Sequence, residues 1–178
     1  MGFIINDFFL DFILLFFPLY FLYFVNKVRS LRQVFNLQGL KTINWKTFIR
    51  NVVLLFFLMF VISFAISYVA SLFGVQDLGV VGQKITSLSA IYIIYLFVVR
   101  VFLEEWFFRG FLVNRVGVII SSALFACGHI LYGSVTEVIG AFVLGVVLAR
   151  FYQKTGSIWI TFSAHLVYNF VALAFMFI

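Results

Sequence analysis

Charge is what this chain has least of. Only 10% of its 178 residues are charged, and six of those side chains are acidic. An ordinary soluble domain carries about a quarter charged residues, and a disordered segment is poor in apolar ones, so both are excluded. Proline is nearly absent, with a single residue at position 18, so long stretches are free to run as helix. The short apolar–polar alternation of membrane barrel strands is missing too. The one cysteine, Cys127, has no partner for an internal disulfide. What remains is 65% hydrophobic and includes 27 phenylalanines, the composition of an integral membrane protein. Twelve basic residues outnumber the acids, but they flank apolar runs instead of forming a basic face. They set membrane orientation and do not indicate nucleic-acid binding.

The pattern predicts an all-α, polytopic membrane protein with a polar site in its bundle core. Six transmembrane helices are expected, over about 4–26, 51–74, 86–113, 117–132, 136–153 and 157–177. Residues 1–178 are read as one integral membrane domain. Its motif-bearing core is about 86–177, and 1–85 adds two N-terminal helices and a basic loop. The first run lacks a basic start and contains Asp7 and Asp11, so it reads as a retained span. The third helix, at ~1.5 Å per residue, is about 42 Å long and has to tilt or protrude.

Lys27, Arg29, Arg32, Lys41, Lys46 and Arg50 lie between the first two spans without one acid, and Arg115, Arg150 and Lys154 mark two later turns. The segment 75–85 reads as a loop with Asp77 and Lys84, and the turn at 133–137 holds Glu137. The positive-inside rule places the basic connections in the cytoplasm and both termini outside the cell membrane. Segment 31–50 fits a membrane-surface helix or a plain basic loop equally well. Ala141, Gly145 and Ala149 form a small-residue face suited to close helix packing.

Against this background stand Glu104 and Glu105, adjacent and deep in an apolar window. Burying a carboxylate in a bilayer costs several kcal/mol by the lower estimates, so such residues commonly mark working sites. Glu105 lies four residues before Arg109 and Arg100 four before Glu104, so each acid has a cation on its own helix face. His129 and His165 are the only histidines, and Asn169 follows His165 by one turn. Counted from the basic turns at helical rise, Glu104 and His165 lie about 16 Å deep, His129 about 21 Å and Asn169 about 22 Å. Three helices therefore deliver polar groups to one level. Neighbouring acids point about 100° apart, so one can face the core while Arg109 braces the other. The plainer readings are a buried salt bridge for Glu105 with Arg109 and a packing role for each histidine. Asp7 and Asp11 read as interfacial or helix-capping residues, and Cys127 as a small packing residue.

At these positions the chain resembles the CAAX-protease and bacteriocin-processing (Abi) family of intramembrane proteases. The E-E-x-x-x-R motif appears as Glu104-Glu105-Trp106-Phe107-Phe108-Arg109, F-x-x-x-H as Phe125 to His129, and H-x-x-x-N as His165 to Asn169. The resemblance covers about 88–175. It implies an intramembrane endopeptidase in which Glu104 is the general base, with His129 as its partner in activating a water. His165 and Asn169 would stabilise the oxyanion, and Glu105 and Arg109 would support the site. It further implies a membrane-associated peptide or lipid-modified protein as substrate, held at the bilayer, with no cofactor.

Two rivals are weighed beside it. A zinc hydrolase would use Glu104, His129 and His165 as ligands, but the H-E-x-x-H helix is absent. Serine chemistry has Ser157 and Ser163 near His165, without a nucleophile-elbow motif. From another class, a non-catalytic membrane module, such as a bacteriocin immunity protein or a scaffold, would use the same polar pocket to bind without cutting.

Overall fold

The computed structural model of the chain describes the backbone of residues 2–75 and 77–175 and the side chains of 8–75, 77 and 79–175. Every regular element among them is helical: α1 (Gly2–Tyr20), α2 (Leu31–Leu37), α3 (Trp45–Leu72), α4 (Leu78–Thr86), α5 (Ala90–Tyr95), α6 (Val101–Glu104), α7 (Val113–Gly128), α8 (Val135–Thr155) and α9 (Ile158–Phe175). Three π-helical stretches, Phe21–Val25, Leu96–Arg100 and Glu105–Leu112, continue α1, α5 and α6. Five helical stretches are long and apolar enough to cross a membrane: Phe8–Val25, Trp45–Leu72, Ala90–Tyr132, Val135–Thr155 and Ile158–Phe175. The chain is a multi-pass membrane protein.

The expected third and fourth spans are one continuous helical stretch, Ala90–Tyr132, and the break falls at Gly117. There φ is 82° and ψ 173°, a conformation that glycine adopts without a Cβ penalty. The chain folds back on itself at this point: Ser121 Oγ donates to the carbonyl of Phe108 at 2.9 Å, and the rings of Phe108 and Phe125 meet edge-on at 5.2 Å. The returning segment 118–128 rises only about 16 Å, short of the ~30 Å hydrocarbon core. It survives there because other helices cover it. Within an 18-residue apolar window of Ala90–Tyr132 44% of residues are buried, against 11% in that of Trp45–Leu72, so the hairpin is more central and α3 more exposed.

Three further expectations are corrected. α3 starts at Trp45 instead of 51, because Asn44 Oδ1 caps it by accepting from the Lys46 amide at 3.0 Å. Lys46 and Arg50 therefore ride on the helix, where long cationic stems reach the interface. The loop 75–85 contains α4, with Val81 buried. Ahead of α3, the segment read as one surface helix or loop is divided: Leu31–Leu37 is a short helix, and residues 38–40 form a wedge. Gln38 is 1% exposed, and a Cβ at Gly110 would stand 2.6 Å from its Oε1 and 2.8 Å from its carbonyl oxygen. The Gly39 carbonyl accepts from the Ile158 amide at 3.1 Å.

The connections around 38–41, 110–117 and 152–158 thus gather at one end of the bundle, with Asn114 Nδ2 3.4 Å from Tyr152 Oη. At the other end Lys84 Nζ donates to the carbonyls of Leu131 and Tyr132 at 3.1 and 2.7 Å, and Asp77 accepts from the amides of Val135 and Thr136. The loops expected to share a side do share an end.

Candidate active site

The glutamate pair sits where the helix changes form. Glu104 ends α6 and Glu105 opens the π-helical stretch that runs to Leu112, closed by the Val113 amide bonding five residues back to Phe108. π-Helical turns inside α-helices concentrate at functional sites. Glu105 is fully buried, and its Oε1 accepts from His165 Nδ1 at 2.9 Å and lies 3.4 Å from Arg109 Nη1. The Arg109 guanidinium, 1% exposed, stacks 4.3 Å over the Phe125 ring. A carboxylate removed from water is stable only when paired, and here a cation and an imidazole do the pairing. Glu105 therefore does more than brace the helix against Arg109, because it also fixes the orientation of His165.

His129 sits at the C-terminal end of α7, and its Nδ1 donates to the Phe125 carbonyl at 2.9 Å. Both histidines thus spend Nδ1 on a fixed acceptor, which leaves Nε2 as the ring nitrogen able to accept a proton. Phe125 lies between them, with centroids 4.6 Å from His129 and 6.1 Å from His165. This brings the second motif against the first and third. Glu104 is 15% exposed and lies 3.4 Å from Arg100 Nε, and its charge also reaches Arg109 and Glu137. Glu104 makes no direct hydrogen bond to either imidazole. Asn169, one turn beyond His165, is half-buried and makes no side-chain hydrogen bond among the described residues.

Glu137 is the residue that sequence reasoning passed over as a turn charge. In the structure it lies in the first turn of α8, capped by Ser134 Oγ at 3.0 Å. Its face continues into Ala141, packed on Phe125, and Gly145, where a Cβ would meet Phe125 at 3.3 Å. Glu104, His129 and His165 all act on it electrostatically. The signal was available: Glu137, Ala141 and Gly145 are spaced by four, so the small-residue face extends to an acid.

Asp11 is a correction. It is neither interfacial nor a cap but 6% exposed, bound to Arg100 Nη1 at 2.5 Å and accepting from the Tyr95 hydroxyl. A lone acid on an apolar helix would be driven to the interface, and the cation on the neighbouring helix reverses that preference. Asp7 lies outside the described side chains. Cys127 is exposed on the outer surface, and Ser157 Oγ accepts from the Trp159 amide at 3.3 Å at the start of α9. Among the described residues no three His, Cys, Asp or Glu side chains form a group suited to a metal ion. Glu104, His129 and His165 accordingly do not fit a zinc site as they stand.

Fold and site together define a polytopic helical membrane protein with paired charges and two oriented imidazoles inside the bundle. The family described as type II CAAX prenyl endopeptidase, Rce1-like, matches residues 86–171, a stretch holding all three motifs. Over that segment, just under half of its length, the chain is similar to this family. No curated protein and no solved structure matches it.

Proposed function

We propose that the chain is a glutamate-type intramembrane endopeptidase that cuts a peptide bond in a membrane-associated, prenylated peptide or protein. The observation that carries this reading is the buried Glu105–His165 contact beside Arg109, with Phe125 linking both histidines. A structural salt bridge needs Glu105 and Arg109 alone. It does not need two imidazoles with Nδ1 fixed and Nε2 left to accept a proton.

In this mechanism Glu104 takes one proton from a water that also hydrogen-bonds to His129 Nε2, and the hydroxide adds to the scissile carbonyl. The tetrahedral intermediate then breaks its C–N bond as Glu104 returns the proton to the leaving amine. Positioned proton acceptors of this kind contribute roughly 10²–10⁴-fold. His165, held by Glu105, and the Asn169 amide face the developing oxyanion, a contribution typically near 3–4 kcal/mol. Arg109, buried against Phe125 with Nη1 3.4 Å from Glu105 Oε1, supports the carboxylate that holds His165. The basic connections lie on the cytoplasmic side with both termini outside, and residues 1–178 act as one membrane domain.

The test is cleavage of a farnesylated CAAX peptide by the purified full chain in proteoliposomes. The wild type should release the C-terminal fragment, and Glu104→Gln and His129→Ala should lose at least about a hundredfold in kcat. Binding of the peptide without any release by the wild type would leave a non-catalytic module as the better account.

A further inference from the structure

The family match begins at residue 86, yet one polar side chain from the N-terminal helix reaches the motif-bearing helix. Asp11 Oδ1 lies 2.5 Å from Arg100 Nη1, and its other oxygen accepts from the Tyr95 hydroxyl. The same guanidinium presents Nε to Glu104 Oε1 at 3.4 Å. Two carboxylates from different helices therefore share one arginine, and Asp11 has the shorter contact. Asp11 is 6% exposed, so its charge is compensated by protein groups and not by water.

Arginine's planar fork favours binding one carboxylate through two parallel N–H···O bonds. Here Glu104 receives a long contact from Nε, at one edge of the fork, while Nη1 is engaged by Asp11. Were Asp11 neutral, the fork would turn onto Glu104, four residues along the same helix, and engage both of its oxygens. A carboxylate clamped in that way has both oxygens engaged and is drawn toward the guanidinium, away from a water in the site.

We propose that Asp11 is a positioning residue for the reaction: by holding Arg100 it keeps the guanidinium from clamping Glu104 and leaves that carboxylate available to the site. This rests on the assignment of Glu104 as proton acceptor. It also gives α1, outside the family segment, a part in catalysis.

The experiment is a double-mutant cycle with Asp11→Asn, Arg100→Gln and the pair, using the full chain in proteoliposomes with the farnesylated CAAX peptide. Thermal unfolding in detergent accompanies each kinetic measurement. Asp11→Asn should lower kcat by about ten- to a hundredfold, since misplacing a reacting group by ~1 Å costs up to about a hundredfold. KM should stay within about twofold, because substrate contacts are untouched. Adding Arg100→Gln should then restore most of the lost turnover, since no fork remains to clamp Glu104. A merely structural pair predicts the reverse, a double variant no better than Asp11→Asn with losses that follow the unfolding temperature. Full turnover in Asp11→Asn, or no recovery in the double variant, overturns the proposal while the protease reading stands. An inactive wild type removes the protease reading and this inference with it.

Discussion

His165 Nδ1 and Glu105 Oε1 lie 2.9 Å apart inside the bundle, where the carboxylate has no exposed surface. The contact joins the last helix to the helix carrying the glutamate pair, sixty residues earlier in the chain. It makes the third motif dependent on the first.

Removing that carboxylate should therefore affect stability and chemistry together. Glu105→Ala leaves Arg109 buried without its anion, a loss on the order of 3–5 kcal/mol for a broken buried pair. Glu105→Gln keeps the shape and an acceptor for His165, so it should unfold at a temperature between wild type and Glu105→Ala. Differential scanning measurements in detergent give the ranking, and equal stability of Glu105→Ala and wild type would contradict the burial argument.

Glu137, in the first turn of α8, lies within electrostatic reach of the same groups. If it helps hold the proton inventory of the site, Glu137→Gln should reduce kcat by about tenfold, at the low end for acid–base groups, with KM little changed. Steady-state kinetics on the farnesylated peptide provides the check. An unchanged kcat would return Glu137 to a bystander in the first turn of a helix.

Gly110 has no room for a side chain, since a Cβ there would stand 2.6 and 2.8 Å from atoms of Gln38. One of those atoms is a backbone carbonyl, so the wedge at 38–40 has to shift as a unit. Gly110→Ala should cost about 1–3 kcal/mol, the usual range for overpacking. Gln38→Ala should not rescue it, because the backbone clash persists. Unfolding of the single and double variants decides this.

Asp77 lies outside the spans, and its carboxyl is held below the usual range, chiefly by hydrogen bonding with Thr136, with the Val135 amide adding to it. A depressed folded-state value means that its stabilisation is present above the unfolded value, ~3.9, and is lost as pH falls through the folded one. Thermal unfolding measured from pH 6 down to pH 3 should show Asp77→Asn losing less stability than wild type at the acidic end. Parallel curves for the two proteins would exclude this anchor.

Much of the architecture was legible because lipid allows few solutions. Long apolar runs marked the membrane helices, although the six expected spans appear as five helical stretches. Glu105 with Arg109 came from spacing alone. Boundaries were harder to read, although the turn expected between 113 and 117 beside Arg115 falls at Gly117, whose backbone alone reverses the chain. Gln38 reads as one more polar loop residue, although Gly110 marks where it fits. The Asp11–Arg100 pair needed coordinates, since nothing in an amino-acid string tells which of two distant helices touch.

The π-helical stretch from Glu105 to Leu112 has a consequence for length variation in this protein. A helix bonded five residues back already carries one residue more than an α-helical path needs. Loss of one residue between 106 and 108 could be absorbed by tightening the coil, with no break in the span. Such a deletion would leave Arg109 three residues from Glu105, still on the same helix face but at a different height and angle. The bundle would tolerate the shorter chain while the 3.4 Å contact had to be remade, so spacing in this stretch is held by chemistry more strictly than by folding.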